Sequence, residues 1–176
     1  MILELFKPNQ YVKSFKDVDL IDLKEKGIKV FILDIDNTLV ASKKDSLDED
    51  AIRFVKQIKS CKIIPVIISN NVKKRVSVFA SELDIDYYCF ALKPSLKSYK
   101  DILEKYNVST SEVAVLGDQL LTDVAGGNRM NMLTILVDQI STKDNFFGII
   151  NRQVENLIFN YLESKDLIKK GKYYDM

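Results

Sequence analysis

The chain has 176 residues, 47% of them hydrophobic, and no Gly-, Pro- or Ser-rich stretch divides it, so a single domain with a sizeable core is expected over residues 1–176. Its 26 basic and 25 acidic side chains leave a formal charge of +1, which supplies no global field for gathering nucleic acid, and no nucleic-acid partner is expected. It contains no histidine, which excludes Ser-His-Asp and Cys-His catalysis, histidine phosphatases and imidazole metal sites, and leaves carboxylates and lysine for acid–base work.

The opening Met1-Ile2-Leu3-Glu4-Leu5-Phe6 carries no basic leader and no long apolar core, so neither a signal peptide nor an anchor helix is expected. Residues 1–27 scatter apolar positions (Leu5, Phe6, Tyr11, Val12, Phe15, Leu20, Leu23) among charges and define no clear element. A first strand is read over 28–34, ending in Asp34-Ile35-Asp36-Asn37-Thr38-Leu39. Side chains at i and i+2 leave a strand on the same face, so Asp34 and Asp36 can converge on one metal ion and one phosphorus atom. Acidic pairs also simply close turns, so the pair alone decides nothing.

Ser46 or Asp48 can cap a helix running to about Ser60, with Ile52, Val55 and Ile58 on its apolar face. Ile63 to Ile68 is a second strand; the apolar stretch there, interrupted by Pro65, is far short of the ~18 residues a membrane span needs. It ends in Ser69-Asn70-Asn71, whose hydroxyl and amides suit phosphate oxygens at a helix start or serve as a plain cap. A helix from about Val72 to Leu83 opens with Lys73, Lys74 and Arg75, read either as a solvated face or as a hold for a second phosphate. A short strand Tyr87–Ala91 leads to Lys93-Pro94, where the proline restricts and so aims the lysine.

A helix from Ser95 to Tyr106 precedes the strand Val113–Leu116, which ends in Gly117-Asp118-Gln119 with Thr122-Asp123 beyond. The glycine allows close backbone approach, and Asp123 either joins the site or favours a helix N-terminus. Thr122 to Met130 reads as helix, Asn131 as its left-handed terminator, and Leu133 to Val137 as the last strand. Gly126-Gly127 lies inside that helix rather than opening one, and no phosphate-binding P-loop motif occurs.

This alternation argues for an α/β fold, a doubly wound parallel sheet with helices on both faces. From Phe146 to Leu162, apolar residues at 147, 150, 154, 157, 158 and 161 form a stripe expected to pack on the sheet, with membrane-surface binding as the sharper alternative. Lys165, Lys169, Lys170 and Lys172 read as a solvated terminus. Cys61 and Cys89 are expected to be small buried thiols. Neither has Arg six residues later, since Ile67 and Ser95 stand there, so the cysteine-nucleophile phosphatase loop is absent.

In order, D-x-D-N-T, S-N-N, K-P and G-D-x-x-x-T-D, each at the carboxyl end of a strand, resemble the four motifs of haloacid dehalogenase-like phosphohydrolases. The resemblance spans about 28–138, and L-D-I-D-N-T-L-V with G-D-Q-L-L-T-D-V-A-G-G-N-R is similar to the YqeG-type IIIA subgroup. It implies Asp34 as nucleophile, Asp36 as general acid/base, Ser69 and Asn70 as phosphate-binding groups and Lys93 as the phosphoryl-orienting cation. It further implies Mg²⁺ held by Asp34, Asp36 and Asp118, with Thr38 in the turn and Asp123 in a supporting position. Asp36 to Ser69 and Ser69 to Lys93 leave no room for a cap domain, and uncapped members of the family act on bulky partners.

The function so implied is a Mg²⁺-dependent phosphomonoester hydrolase with an aspartyl-phosphate intermediate, acting on phosphatidylglycerophosphate. The alternatives are a soluble nucleotide or sugar phosphatase and a non-catalytic phosphate-responsive binding module. A phosphorylated substrate, an anionic phospholipid surface and a cytoplasmic location, peripheral at the inner face of the membrane, complete the expectation.

Overall fold

The computed structural model describes residues 3–141 and 146–175, with side-chain surroundings defined for residues 4–141 and 153–175. Six strands form one all-parallel sheet: β1 (Gln10–Val12), β2 (Val30–Leu33), β3 (Ile64–Ile68), β4 (Asp86–Tyr88), β5 (Val113–Gly117) and β6 (Leu133–Val137), in the order β1-β6-β5-β2-β3-β4. The helices are α1 (Leu20–Glu25), α2 (Glu49–Ser60), α3 (Lys73–Leu83), α4 (Lys97–Tyr106), α5 (Ala125–Arg129) and α6 (Phe146–Ser164).

The two faces of the sheet explain why β2, β3 and β5 are apolar throughout. Phe31, Leu33, Ile67, Ala114 and Leu116 pack under α2 and α3 with Phe54, Ile58 and Phe79. The alternate residues Val30, Ile32, Val66, Ile68, Val113 and Val115 meet Tyr99 and Ile102 of α4. A strand covered on both faces has no polar face to show. Leu33 pairs in register with both Ile67 and Leu116, which levels the carboxyl ends of β2, β3 and β5. After β2 the chain winds through β3 and β4 on one side, then returns to β5 and β6 on the other, so the site lies at a topological switch point. Only α2 with β3, and α3 with β4, occupy the intervals where a cap would be inserted.

Several expected elements differ from the structure. The helix read over Thr122–Met130 is a wide π-type turn, Leu120–Val124, followed by α5. The short strand ends at Tyr88, because Phe90 and Leu92 both take positive φ (48° and 51°) and turn the chain out of the sheet. Asp48 stands at the N-terminus of α2, yet its carboxylate takes Lys44 Nζ at 2.6 Å instead of a helix amide. Asn131 has the expected left-handed conformation, φ 55°. Cys61 and Cys89 are free and half-buried, not fully buried as expected, since each lies at the border of a core cluster.

The ends join the body. β1 adds a sixth strand beside β6, and the backbone of Tyr174 bonds that of Tyr11 in both directions at 2.8 and 2.9 Å. The terminal tail is thus tied down at Tyr174, while its lysines are exposed. In α6 the inward residues are Glu155 and Leu162, with Ile158 and Phe159 partly buried. Val154, Leu157 and Tyr161 of the expected stripe are exposed instead (40%, 70% and 53%). Positions 147 and 150 of that stripe lie in α6 but outside the residues with defined side-chain surroundings, and Met1 and Ile2 of the opening segment lie outside the described residues. The inner face carries a carboxylate at Glu155, which accepts the Leu120 and Leu121 amides.

Candidate active site

Asp34 follows β2 directly, and its side chain is one-tenth exposed. Its Oδ1 accepts from Lys93 Nζ at 2.6 Å and its Oδ2 from Thr38 Oγ1 at 3.1 Å. Lys93 Nζ also donates to Asp123 Oδ1 at 2.6 Å and to the Ile68 carbonyl at 3.1 Å, so a buried ammonium has all three hydrogens engaged. Burial alone would pull the Lys93 pKa down, but Asp123 and Asp34 hold it above the usual lysine range. Burial pushes the Asp34 carboxyl up to about 7, a shift opposed by Lys93 and reinforced by Asp123 and Asp36.

The carboxylates of Asp34, Asp118 and Asp123 gather with one oxygen of each within 4.8 Å of the others, all three buried. Thr38 Oγ1 lies 3.5 Å from Asp118 Oδ1, so the turn residue links Asp34 to Asp118. Three carboxylates facing one ammonium leave excess negative charge in a buried place, and an all-oxygen donor set of this kind suits a hard divalent cation. Gly117 makes room for this: a Cβ there would collide with the Asp123 side chain. Asp123 Oδ2 also accepts the Gln119 amide at 3.2 Å, closing the loop around the cluster.

Asp36 is arranged differently. Its Oδ2 accepts Asn71 Nδ2 at 3.0 Å, and its Oδ1 accepts Arg75 Nε at 2.9 Å. Its carboxylate is therefore turned toward α3 and stands apart from the group of three. Ser69, 2% exposed, accepts the Asn71 amide on Oγ at 3.1 Å and retains its hydroxyl hydrogen to donate. Asn70 clamps the backbone of Lys93, accepting its N–H at 2.6 Å and donating to its carbonyl at 3.4 Å. The Lys93-Pro94 peptide is cis.

The structure thus brings Asp34, Lys93, Thr38, Asp118 and Asp123 into one buried cluster, with Ser69 and Asp36 at its edge. Three contributors escaped the sequence reading. Arg75 appeared only as one of three rim cations, and just the register of α3 separates it from Lys73 and Lys74. Tyr99, fully buried, has a hydroxyl without a hydrogen-bond partner; burial raises its pKa while Lys93 opposes, and Gly126 leaves it space. Glu155 of α6 accepts the amides of Leu120 and Leu121 at 2.9 and 2.6 Å, capping the turn that follows Asp118.

A HAD-hydrolase-like family model matches residues 91–145. The chain is 36% identical over 169 residues to the probable phosphatase YqeG of Bacillus subtilis, covering 96% of this chain and 98% of that one. It is 27% identical over 176 residues to phosphatidylglycerophosphate phosphatase 1, chloroplastic/mitochondrial, of Arabidopsis thaliana, covering 93% of this chain and 49% of that one. Among solved structures, 3-deoxy-D-manno-octulosonate 8-phosphate phosphatase from Moraxella catarrhalis, in complex with magnesium, phosphate and KDO, superposes with a TM-score of 0.51. It is 18% identical and covers 84% of this chain and 96% of that chain, a likeness of fold. The cobalt-bound YrbI phosphatase of Haemophilus influenzae is similar to the same degree, TM-score 0.52 at 16% identity over 84% of this chain and 96% of that one. With its four motifs at the carboxyl edge of a parallel sheet and a full-length relative at 36% identity, the chain belongs to the haloacid dehalogenase-like phosphatases, in their YqeG-type group.

Proposed function

We propose that the protein is a Mg²⁺-dependent phosphomonoesterase working through an aspartyl-phosphate on Asp34, and that its substrate is a phospholipid monoester of the phosphatidylglycerophosphate kind. The observation carrying the chemistry is Asp34 beside Lys93, 2.6 Å apart, within the buried carboxylate group. Asp34 attacks phosphorus while Asp36 gives its proton to the departing alkoxide. Water then attacks the phosphorus, Asp36 takes the water's proton, and the Asp34–phosphorus bond breaks to release phosphate.

Lys93 supplies the positive charge that faces the phosphoryl group, the Ser69 hydroxyl donates to a phosphoryl oxygen, and Asn70, also assigned to the phosphate on sequence, fixes the Lys93 backbone. Mg²⁺, when bound, neutralises charge between carboxylates and the dianionic ester. The geometry favours Asp34, Asp118 and Asp123 as the carboxylates that hold it. Asp36, which the sequence also assigns to the metal, has its carboxylate held by Asn71 and Arg75, an arrangement that suits it to the proton transfers.

The lipid substrate is supported by the name of the Arabidopsis relative and by the uncapped site. The proposed location is the cytoplasm, peripherally at the inner face of the membrane; among the described residues no helix is long and apolar enough to cross a bilayer. A substrate panel tests the reading: phosphatidylglycerophosphate in micelles beside soluble nucleotide and sugar monoesters, with Mg²⁺ and with chelator. Mg²⁺-dependent turnover that prefers the lipid supports it. Equal or better turnover of a soluble monoester overturns the substrate and leaves the chemistry standing.

A further inference from the structure

Four large apolar side chains stand open to solvent around the site: Val72 (48%), Val78 (54%), Phe90 (57%) and Leu92 (75%). Phe90 and Leu92 both hold positive φ, a conformation that bulky side chains avoid. Phe90 N–H bonds the Asn71 carbonyl at 3.1 Å and Ala91 N–H the Ser69 carbonyl at 3.1 Å, which fastens this loop to the one beside Asp36. The apolar pair therefore stands on the loop that leads directly into Lys93. On α3 a shallow groove of about 310 Å³ lies between Asp45, Val72, Lys74, Arg75, Val78 and Phe79.

Cations are interleaved with these residues. Lys43, Lys73 and Lys74 are exposed and make no ion pair among the described residues. Lys73 and Lys74 occupy the first turn of α3, where the helix dipole disfavours positive charge. Arg75 reaches Asp45 at 3.3 Å, which draws the loop carrying Lys43 to the same rim and engages the acidic group there. In a chain of net charge +1, this is a local concentration of cations and exposed apolar surface around a phosphatase mouth. That pairing complements anionic headgroups above an acyl layer.

We infer that this rim is a docking surface for an anionic lipid bilayer, with Phe90 and Leu92 entering the headgroup–acyl boundary and Lys43, Lys73 and Lys74 meeting lipid phosphates. The inference rests on the lipid-monoester reading of the site, and it assigns the interface to the loops beside motifs two and three in place of the terminal segments.

Sedimentation of the full chain with vesicles of phosphatidylglycerol in phosphatidylcholine, and of phosphatidylcholine alone, tests it. Wild type binds the anionic vesicles, and added salt weakens the binding. A Phe90→Glu/Leu92→Glu variant and a Lys73→Glu/Lys74→Glu variant each lose about tenfold or more in partition. Their hydrolysis of soluble para-nitrophenyl phosphate stays near that of wild type, which identifies folded protein; Phe90→Ser/Leu92→Ser replaces the first variant if it fails that check. No binding by wild type, or unchanged partition in either double variant, overturns the docking surface. Vesicle binding without hydrolysis of the lipid monoester fails the substrate reading alone, whereas hydrolysis in micelles without vesicle binding fails the docking surface alone.

Discussion

Arg75 grips Asp36 from α3: Nε donates to Oδ1 at 2.9 Å, and NH2 lies 2.8 Å from the same oxygen. The Arg75 side chain is 15% exposed and stacks 5.0 Å over the Phe79 ring, so its head is fixed by packing as well as by charge. In the proposed mechanism the Asp36 carboxylate gives and then takes a proton, which depends on its orientation, and this contact fixes that orientation. Arg75→Met is expected to lower kcat by about 10- to 100-fold with KM little changed, because misplacing a catalytic group by an ångström costs on that scale. Steady-state kinetics on a soluble ester, with circular dichroism to verify folding, checks this. A change in KM alone would assign Arg75 to substrate binding.

Lys93 is the ammonium between Asp34 and Asp123, with its side chain 4% exposed. Lys93→Met leaves two buried carboxylates without their cation, which costs about 3–5 kcal/mol in comparable buried pairs. Chemical denaturation without metal is expected to show that loss, and added Mg²⁺ to return part of it. Turnover is expected to fall by at least about 10²-fold, as for loss of a preorganised charge at a developing anion.

Glu155 ties α6 to the turn that follows Asp118, one of the proposed metal ligands, through the Leu120 and Leu121 amides. Glu155→Ala leaves those amides without the carboxylate, and a weakening of Mg²⁺ affinity by about 10-fold is expected from displaced ligand support. Titration calorimetry reads the affinity directly, and hydrogen exchange at 120–121 reads the turn. Exchange and affinity both unchanged would make Glu155 a filler of space.

The raised pKa of Asp34 has a definite sign in stability. Between the ordinary carboxyl value of 3.8 and about 7, the folded chain keeps a proton that the unfolded chain has released. The Asp34 contribution to stability therefore falls as pH rises through that window. Metal-free protein is expected to lose melting temperature from pH 5 to pH 8 relative to Asp34→Asn, and saturating Mg²⁺ to remove the difference. Parallel profiles of wild type and Asp34→Asn in chelator would refute the burial argument.

What could be read from the sequence divides along physical lines. β2, β3, β5 and β6 announce themselves because both faces are covered, and an unbroken apolar run ending in a polar motif has few other meanings. β1 does not: it has three residues, one of them Gln10, and its pairing with β6 is made across more than a hundred residues. Asp34, Ser69 and Asp118 are legible because each directly follows a strand, and Lys93 because Pro94 marks it. Asp123 could be seen but not ranked, since only folding brings it to Lys93. Arg75, Tyr99 and Glu155 carry no local mark: one sits in a charge run, one looks like core, and one lies in a helix whose apolar spacing points elsewhere.

In the proposed mechanism an Asp34 carboxylate oxygen accepts the phosphoryl group, and direct observation of that bond is the sharpest test. Asp36→Asn with a substrate of good leaving ability is expected to let the first step proceed while the second stalls. Acid-quenched mass spectrometry should then find one added phosphoryl group on the peptide containing residue 34, absent from Asp34→Asn/Asp36→Asn. Asp34→Asn alone should lose at least about 10³-fold in rate, roughly 4 kcal/mol of barrier. A trapped phosphoryl group elsewhere, or turnover by Asp34→Asn within tenfold of wild type, would contradict the account.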